Sequence, residues 1–345
     1  MKAMVLNGHC DLKREDNPLR QVERRPPSPE DDQILIKVSA CGVCHTELDE
    51  IEGRTPPPRF PIIPGHQVVG RVAESGKGAG LFKIGDRVGV AWIFSSCGRC
   101  KWCLKGQDNL CPEFRATGRD ADGGYAEYMV VPEESAYAIP EIFSDEEATP
   151  LLCAGAVGYR ALKLTGIENG QILALTGFGA SGHMNLLMAK AMYPASPVFV
   201  FARNPREREF AMELGADWSG DTEDAPPERP DAFIDTTPVW KPPLEALKRL
   251  APGGRLVINA IRKENSDATL LSELDYGEAL WMEKEIKSVA NVSKTDVRQF
   301  LALAAEVPIR PEFETFPLRD ANKALLQIKR GLIRGAKVLT INHKV

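Results

Sequence analysis

Eight cysteines and five histidines are the side chains in this 345-residue sequence best suited to hold a soft metal ion. Half of the cysteines crowd into one stretch, CGRCKWCLKGQDNLC, at Cys97, Cys100, Cys103 and Cys111. Four thiolates at C-x2-C-x2-C-x7-C spacing make a closed tetrahedral shell for Zn²⁺. A closed shell leaves no place for a substrate, so this cluster is expected to be structural. The alternative is an iron–sulfur cluster, whose common bacterial run is C-x2-C-x2-C-x3-C-P. Pro112 does follow Cys111, but the gap before Cys111 is longer than that run allows.

The other cysteines are Cys10, Cys41, Cys44 and Cys153. A catalytic zinc takes three protein ligands and keeps a fourth place open. Cys44 in ACGVCHTELDE, His66 in PIIPGHQVVG and Cys153 in PLLCAGAVGYRAL would supply two thiolates and an imidazole. They lie on three separate stretches, and spacing alone does not assemble them. His9 and His343 read as surface or packing residues. His183, just after a glycine-rich turn, is placed to touch a phosphate.

That turn is LALTGFGASGHMNLLMAK, with G-x-G-x-x-G at Gly177, Gly179 and Gly182. The pattern alone is weak evidence, and a ligand-free βα turn reads the same way. Here it follows an expected strand (172–176) and opens an expected helix (183–191), the context a dinucleotide fingerprint requires. Glycines allow the tight turn and close backbone approach, and the helix N-terminus from Ala180 onward faces the pyrophosphate. An NAD site wants a carboxylate at the end of the next strand, VFVFA, to bind the ribose 2′-hydroxyl. Ala202 stands there, followed by Arg203, Arg206 and Arg208. Guanidinium groups suit a 2′-phosphate, so NADP(H) is favoured and NAD(H) is the alternative. The bland reading has these arginines pairing with Glu207 and Glu209, and it suits Arg208 better than Arg203.

The elements that must position these groups fall into two blocks. Up to about residue 149, β-rich runs such as ILIKVSACG, VVGRVAESG and YAEYMVVP are broken by Gly and Pro. Residues 150–287 alternate short apolar strands with amphipathic helices, the βαβ pattern of a doubly wound parallel sheet. From 288 to 345 the pattern changes again, and AKVLTINHKV reads as a strand returning to the first block. The fold class is α/β. The composition, 43% hydrophobic and 26% charged with a net charge of −5, supports ordinary cores and gives no basic excess for nucleic acid. No apolar run reaches the ~20 residues of a membrane helix. The N-terminus turns polar too soon for a signal peptide. A cytoplasmic location with reduced thiols is the expectation.

In order along the chain, GVCHTEL, PGHQVVGRV, the four-cysteine lobe, GGYAEYMVVP, LLCAGAVGYRAL and GFGASG resemble the zinc-dependent medium-chain alcohol dehydrogenases. The resemblance implies a GroES-like β-barrel catalytic domain (1–149 and 288–345, zinc lobe 95–113) and a Rossmann domain (150–287). It assigns Cys44, not Cys41, with His66 and Cys153 to the catalytic zinc, and a second zinc to the lobe. It makes Thr46 the hydroxyl that relays a proton. It puts His45 near the cofactor phosphates, and Arg334 near the pyrophosphate. It also implies a small-molecule alcohol or aldehyde as substrate, in the primary class, and a homo-oligomer, dimer or tetramer.

Three departures stand out. Gln67 replaces a usual Glu after the ligand histidine, and is expected to hydrogen-bond around the metal. Asp49 replaces a histidine that ends the proton relay in some members. Val157 replaces a Thr near the nicotinamide. Trp92 reads as a pocket wall or as packing. A zinc-free quinone or enoyl reductase of the same fold, and a non-catalytic NADPH- or zinc-binding protein, are the rival functions.

Overall fold

The computed structural model describes residues 1–307, 309–332 and 334–341. Two compact units divide the chain, Met1–Cys153 with Val292–Val345, and Ala154–Asn291. Cys153 is therefore the last residue of the first unit's leading segment, in the same unit as Cys44 and His66.

In that segment, β1 (Lys2–Leu6) pairs antiparallel with β2 (Leu19–Glu23). The long β3 (Gln33–Val43) runs straight into the short helix α1 (His45–Ile51). The following strands are β4 (Val68–Ser75), β5 (Arg87–Val90), β6 (Ile93–Ser95), β7 (Arg115–Ala116), β8 (Tyr128–Pro132) and β9 (Ala136–Ala138). Helix α2 (Asp145–Pro150) begins at Ser144, whose hydroxyl and Glu147 close a reciprocal cap. Ile34, Ile36, Val38, Val68, Val88 and Val90, β-branched side chains that suit a pleated surface, fill the core of this unit.

The second unit holds α3 (Ala156–Thr165), β10 (Leu173–Thr176), α4 (Ala180–Met192), β11 (Val198–Phe201), α5 (Pro205–Glu213) and β12 (Trp218–Gly220). It continues with β13 (Ala232–Asp235), α6 (Lys241–Arg249), β14 (Arg255–Ile258), α7 (Tyr276–Ala279) and β15 (Glu285–Ser288). The strands LALT, VFVF and AFID are apolar, or nearly so, along their whole length and wholly buried, as strands covered on both faces must be. All pair in parallel, in the order β12-β11-β10-β13-β14-β15. The order reverses between β10 and β13, the point where such sheets bind ligands at their carboxyl ends.

The chain then returns to the first unit with α8 (Lys294–Glu306), β16 (Phe313–Pro317), α9 (Ala321–Lys329) and β17 (Ala336–Thr340). The sheet there runs β16-β17-β3-β4-β5-β9. One edge of β3 belongs to β4, with register shifts at Leu35/Ile36 and Val38/Ala40. Its other edge is shared. β8 takes Gln33–Lys37, and β17 takes Ala40–Val43. The return strand expected from AKVLTINHKV thus exists, and it braces the last residues before Cys44.

Candidate active site and metal centres

Two groups of side chains able to hold a metal ion occur among the described residues, Cys44–His66–Cys153 and Cys97–Cys100–Cys103–Cys111. Within each, the ligand atoms all lie within 4.8 Å of one another. Each ligand of the first group is set by a local device. Cys44 is the N-cap of α1, and its Sγ accepts from the Thr46 N–H at 3.4 Å. His66 follows Gly65, whose φ of +98° favours glycine and where a Cβ would strike the Tyr125 ring at 2.3 Å. Cys153 sits in a π-helical turn, Leu151–Gly155, directly after Pro150. Pro150 has no N–H to give the α-helical ladder, and the chain widens there.

His66 Nε2 is 3.8 Å from Cys44 Sγ and 3.3 Å from Cys153 Sγ. Bonds of about 2.0–2.3 Å from a tetrahedral zinc to N and S give an edge of about 3.6 Å, so the donors fit that ion. Glu47 connects them from behind. Its Oε1 accepts from His66 Nδ1 at 2.7 Å, and its Oε2 accepts from the Cys44 N–H at 2.8 Å. This fixes the proton on Nδ1 and turns Nε2 toward the thiols. Burial alone would push the His66 pKa down, but the Glu47 carboxylate and the Cys44 sulfur carry it well above its ordinary value. The Cys44 thiol is held well up, first by its hydrogen bond with Cys153 and then by burial.

In the second group, Sγ···Sγ separations of 3.9 Å (Cys97–Cys103) and 3.6 Å (Cys100–Cys103) match the edge of about 3.8 Å expected of four Zn–S bonds near 2.3 Å. The N–H groups of Arg99 and Cys100 bring the Cys97 thiol down to about 7, while burial raises Cys103 to about 12. The lobe has two short 3-10 turns, and Leu104 is 76% exposed, so little apolar packing holds it.

In the second unit the three loop glycines differ in role. Gly177 has φ +80°, and a Cβ there would meet Thr236 Oγ1 at 2.9 Å. Gly179 has nothing within 4 Å of such a Cβ, leaving its backbone open to close approach. A Cβ on Gly182 would sit 2.6 Å from the Gly177 carbonyl oxygen, which forces glycine where α4 packs on the turn. Helix α4 starts at Ala180 with no side-chain cap, so its first N–H groups are available to an anion.

A model of the alcohol dehydrogenase GroES-like domain matches residues 30–141. A probable alcohol dehydrogenase AdhA of Mycobacterium tuberculosis is 42% identical over 94% of this chain and 93% of its own. An alcohol dehydrogenase of Geobacillus stearothermophilus is 34% identical over 99% of this chain and 100% of its own. The chain belongs to the zinc-type medium-chain alcohol dehydrogenases. Among solved structures, a cinnamyl alcohol dehydrogenase of Sorghum bicolor superposes with a TM-score of 0.87 at 27% identity, covering 98% of this chain and 97% of that one.

Elsewhere in this dehydrogenase several expected residues take other partners. Gln67, expected to hydrogen-bond around the metal, is buried with its side chain packed on Gly42, and its Nε2 has no partner among the described residues. Glu47 holds His66. The C-x-x-E spacing of Cys44 and Glu47 was a visible signal, since it is the spacing of a capping box. Cys41 is a wholly buried thiol, raised well above its ordinary pKa by burial. Thr46 is 9% exposed on the first turn of α1. His45 keeps solvent contact on a crowded surface, and that crowding lowers its pKa while Asp49 opposes the shift. Asp49, in the relay position, accepts from Arg54 Nε at 2.5 Å.

The arginines divide differently than expected. Arg208 donates to the Ala202 carbonyl at 2.8 Å and pairs with Asp221 at 3.5 Å, not with Glu207 or Glu209. Arg203 is exposed, and it is the arginine whose charge acts on Glu207. Glu207 itself, half-buried, has its pKa raised by burial and receives a hydrogen bond from the Phe178 N–H inside the glycine loop. Arg334 is exposed between α9 and β17. His183 is fully buried, with its pKa lowered to about 4 by burial. Trp92 stacks on Phe114 with ring centroids 4.5 Å apart. His343 lies outside the described residues. None of the helices is long and apolar enough to cross a membrane, among the described residues.

Proposed function

We infer that this chain interconverts a small, primary-class alcohol and its aldehyde by hydride transfer to and from a nicotinamide dinucleotide, with NADP(H) favoured. The observation that carries this reading is the Cys44–His66–Cys153 group, with Thr46 next to it through its N–H on Cys44 Sγ. Three protein donors leave a zinc ion one open ligand place, whereas the four thiols of the lobe leave none. Bound at the first group, zinc would supply Lewis acidity toward the alcohol or carbonyl oxygen. Cys44 and Cys153 would hold it as thiolates, and His66 as the tautomer that Glu47 selects. The Thr46 hydroxyl takes the proton from the alcohol during oxidation and returns it during reduction. Asp49, held by Arg54, replaces the outer histidine of some relatives, so the proton's further route involves a carboxylate or solvent. The glycine loop and the start of α4 bind the pyrophosphate, and Arg203 reads the 2′-phosphate.

A homo-oligomer accompanies this reading. β15 ends its sheet with all four residues exposed, Ile286 among them, and Trp281 and Met282 shortly before it are also open. In an antiparallel pairing centred on Ile286, Glu285 would face Lys287 of a second copy. Light scattering of the purified protein checks it, and a monomer at micromolar concentration overturns it.

The function is tested on zinc-loaded protein with primary alcohols and aldehydes, each nicotinamide cofactor in turn. Oxidation and reduction are expected in the wild type, with NADP(H) preferred. Cys44→Ser should abolish turnover while the lobe retains its zinc. Undiminished turnover in that variant would remove Cys44 from the site.

A further inference from the structure

Asp235 ends β13 beside the end of β10, where the strand order of the parallel sheet reverses. Its carboxylate is 0% exposed and engaged through both oxygens. Oδ1 accepts from the Thr176 hydroxyl at 2.6 Å, the Thr237 hydroxyl at 2.7 Å and the Thr237 N–H at 3.3 Å. Oδ2 accepts from the ammonium of Lys263, a residue in the stretch that follows β14. The Lys263 side chain is itself only 8% exposed. An ammonium has three donors, and Lys263 gives the other two to the carbonyls of Thr237 at 2.8 Å and Val239 at 2.9 Å. Backbone bonds join the same two stretches, from the Asn259 N–H to the Asp235 carbonyl at 2.7 Å and from the Glu264 N–H to the Pro238 carbonyl at 2.6 Å.

Thr236, between the two residues that Lys263 grips, reaches the glycine loop directly. Its N–H and hydroxyl donate to the Thr176 carbonyl at 2.9 and 3.0 Å, and its Oγ1 is 3.4 Å from the Gly177 carbonyl oxygen. A line of contacts thus runs from Lys263 through 235–239 to the first glycine of the loop, all inside the second unit. A buried ion pair adds little net stability over apolar side chains of the same volume. Three donors on one atom do what an apolar side chain cannot. They fix a carboxylate and two carbonyls, two residues apart, in a single arrangement.

We propose that Lys263 is a positioning residue for the nicotinamide dinucleotide. By pinning Asp235, Thr237 and Val239 it holds Thr236 against Gly177, and so sets the shape in which the glycine loop meets the pyrophosphate. Binding sites depend on such supporting bonds behind the groups that touch the ligand. The proposal rests on the reading of the glycine loop as the pyrophosphate site.

Lys263→Met alone would leave a buried carboxylate unpaired, so the test joins it to Asp235→Asn, which keeps an acceptor for Thr176 and Thr237. Dissociation constants of NADPH and NADH are read from nicotinamide fluorescence on the zinc-loaded protein. In the double variant both should rise about tenfold or more, as the carbonyls of Thr237 and Val239 lose their donor. The two factors should agree within about twofold, because the pyrophosphate is common to both cofactors. KM for NADP⁺ should rise in step, while kcat at saturating NADP⁺ falls by less than about threefold. Thr236→Val, uncharged and of the same shape, removes the last link and should raise both dissociation constants about threefold or more. It carries the test if the double variant does not fold. Binding within about twofold of wild type in a folded variant overturns the proposal and leaves the glycine-loop reading intact. A joint fall of kcat, urea midpoint and binding in both variants also overturns it, since the ion pair would then hold up the whole unit. Wild-type protein that binds neither dinucleotide overturns both readings.

Discussion

Replacing Glu47 with Gln probes the centre without touching a ligand. The Glu47 side chain is fully buried and accepts two hydrogen bonds, from His66 Nδ1 at 2.7 Å and the Cys44 N–H at 2.8 Å. A glutamine amide has one oxygen and one NH₂ group. It can satisfy only one of the two donors, and it presents N–H to the other. If the NH₂ faces His66, the ring must move its proton to Nε2, the nitrogen that faces the thiols, and that nitrogen no longer has a lone pair to give. If the oxygen faces His66, the Cys44 N–H is orphaned and the cap that aims its sulfur is lost. An orphaned buried donor costs about 1–3 kcal/mol. At about 1.4 kcal/mol per decade this is roughly 10–100-fold in metal affinity, the range measured for such outer partners. Zinc competition against a chromophoric chelator should resolve two sites in the wild type. In Glu47→Gln one dissociation constant should rise 10–100-fold while that of the four-thiol lobe stays put. Two constants both within about twofold of wild type would refute the reasoning, because the bond network would then not be setting the His66 tautomer.

Cys103→Ser, or chelation of the lobe metal, should raise amide exchange across residues 97–111 with little change in β3 or β4; an unchanged exchange pattern would mean that packing, not metal, holds the lobe. His183 takes a proton in the unfolded chain near pH 6.5 and in the folded protein only near 4, so stability is full above 6.5 and falls as the pH drops toward 4. Between about pH 7 and about pH 5 the loss from this residue comes to about 2 kcal/mol. Urea midpoints should show that excess acid sensitivity in the wild type and not in His183→Gln, and parallel pH profiles would contradict it. Arg203→Glu should weaken NADP⁺ relative to NAD⁺ by about tenfold or more in kcat/KM, the change of one charge at the 2′-phosphate. An unaltered cofactor ratio would reassign the group.

The clustered features were legible in the sequence because their spacing carries the geometry. Four cysteines within fifteen residues can reach one ion without help from the fold, and G-x-G-x-x-G lies within a single turn. The catalytic ligands are different, for Cys44, His66 and Cys153 span more than a hundred residues, and only resemblance joined them. Glu47 was missed because its signal, an acid three residues into a helix, has an ordinary meaning as a cap; the structure gives it both jobs. Arg208 suited a pairing with Glu207 or Glu209 in the sequence, but Asp221, beyond β12, is brought to it by the parallel pairing of β11 with β12. Gln67, the neighbour of His66 in sequence, packs its amide on Gly42, two residues before Cys44.

The pairing of β17 with the last residues of β3 has a consequence for how the protein comes off the ribosome. The second unit, residues 154–291, is continuous and can fold as soon as it emerges. The first unit begins earlier yet finishes last, because the strand beside Ala40–Val43 is made of residues 336–340. Until those are synthesised, the stretch leading into Cys44 has an open edge, and the early cysteines wait through most of translation without the sheet that aims them. Nascent chains stalled before residue 336 should therefore protect the nucleotide-loop segment from protease and leave the cysteine-bearing one exposed.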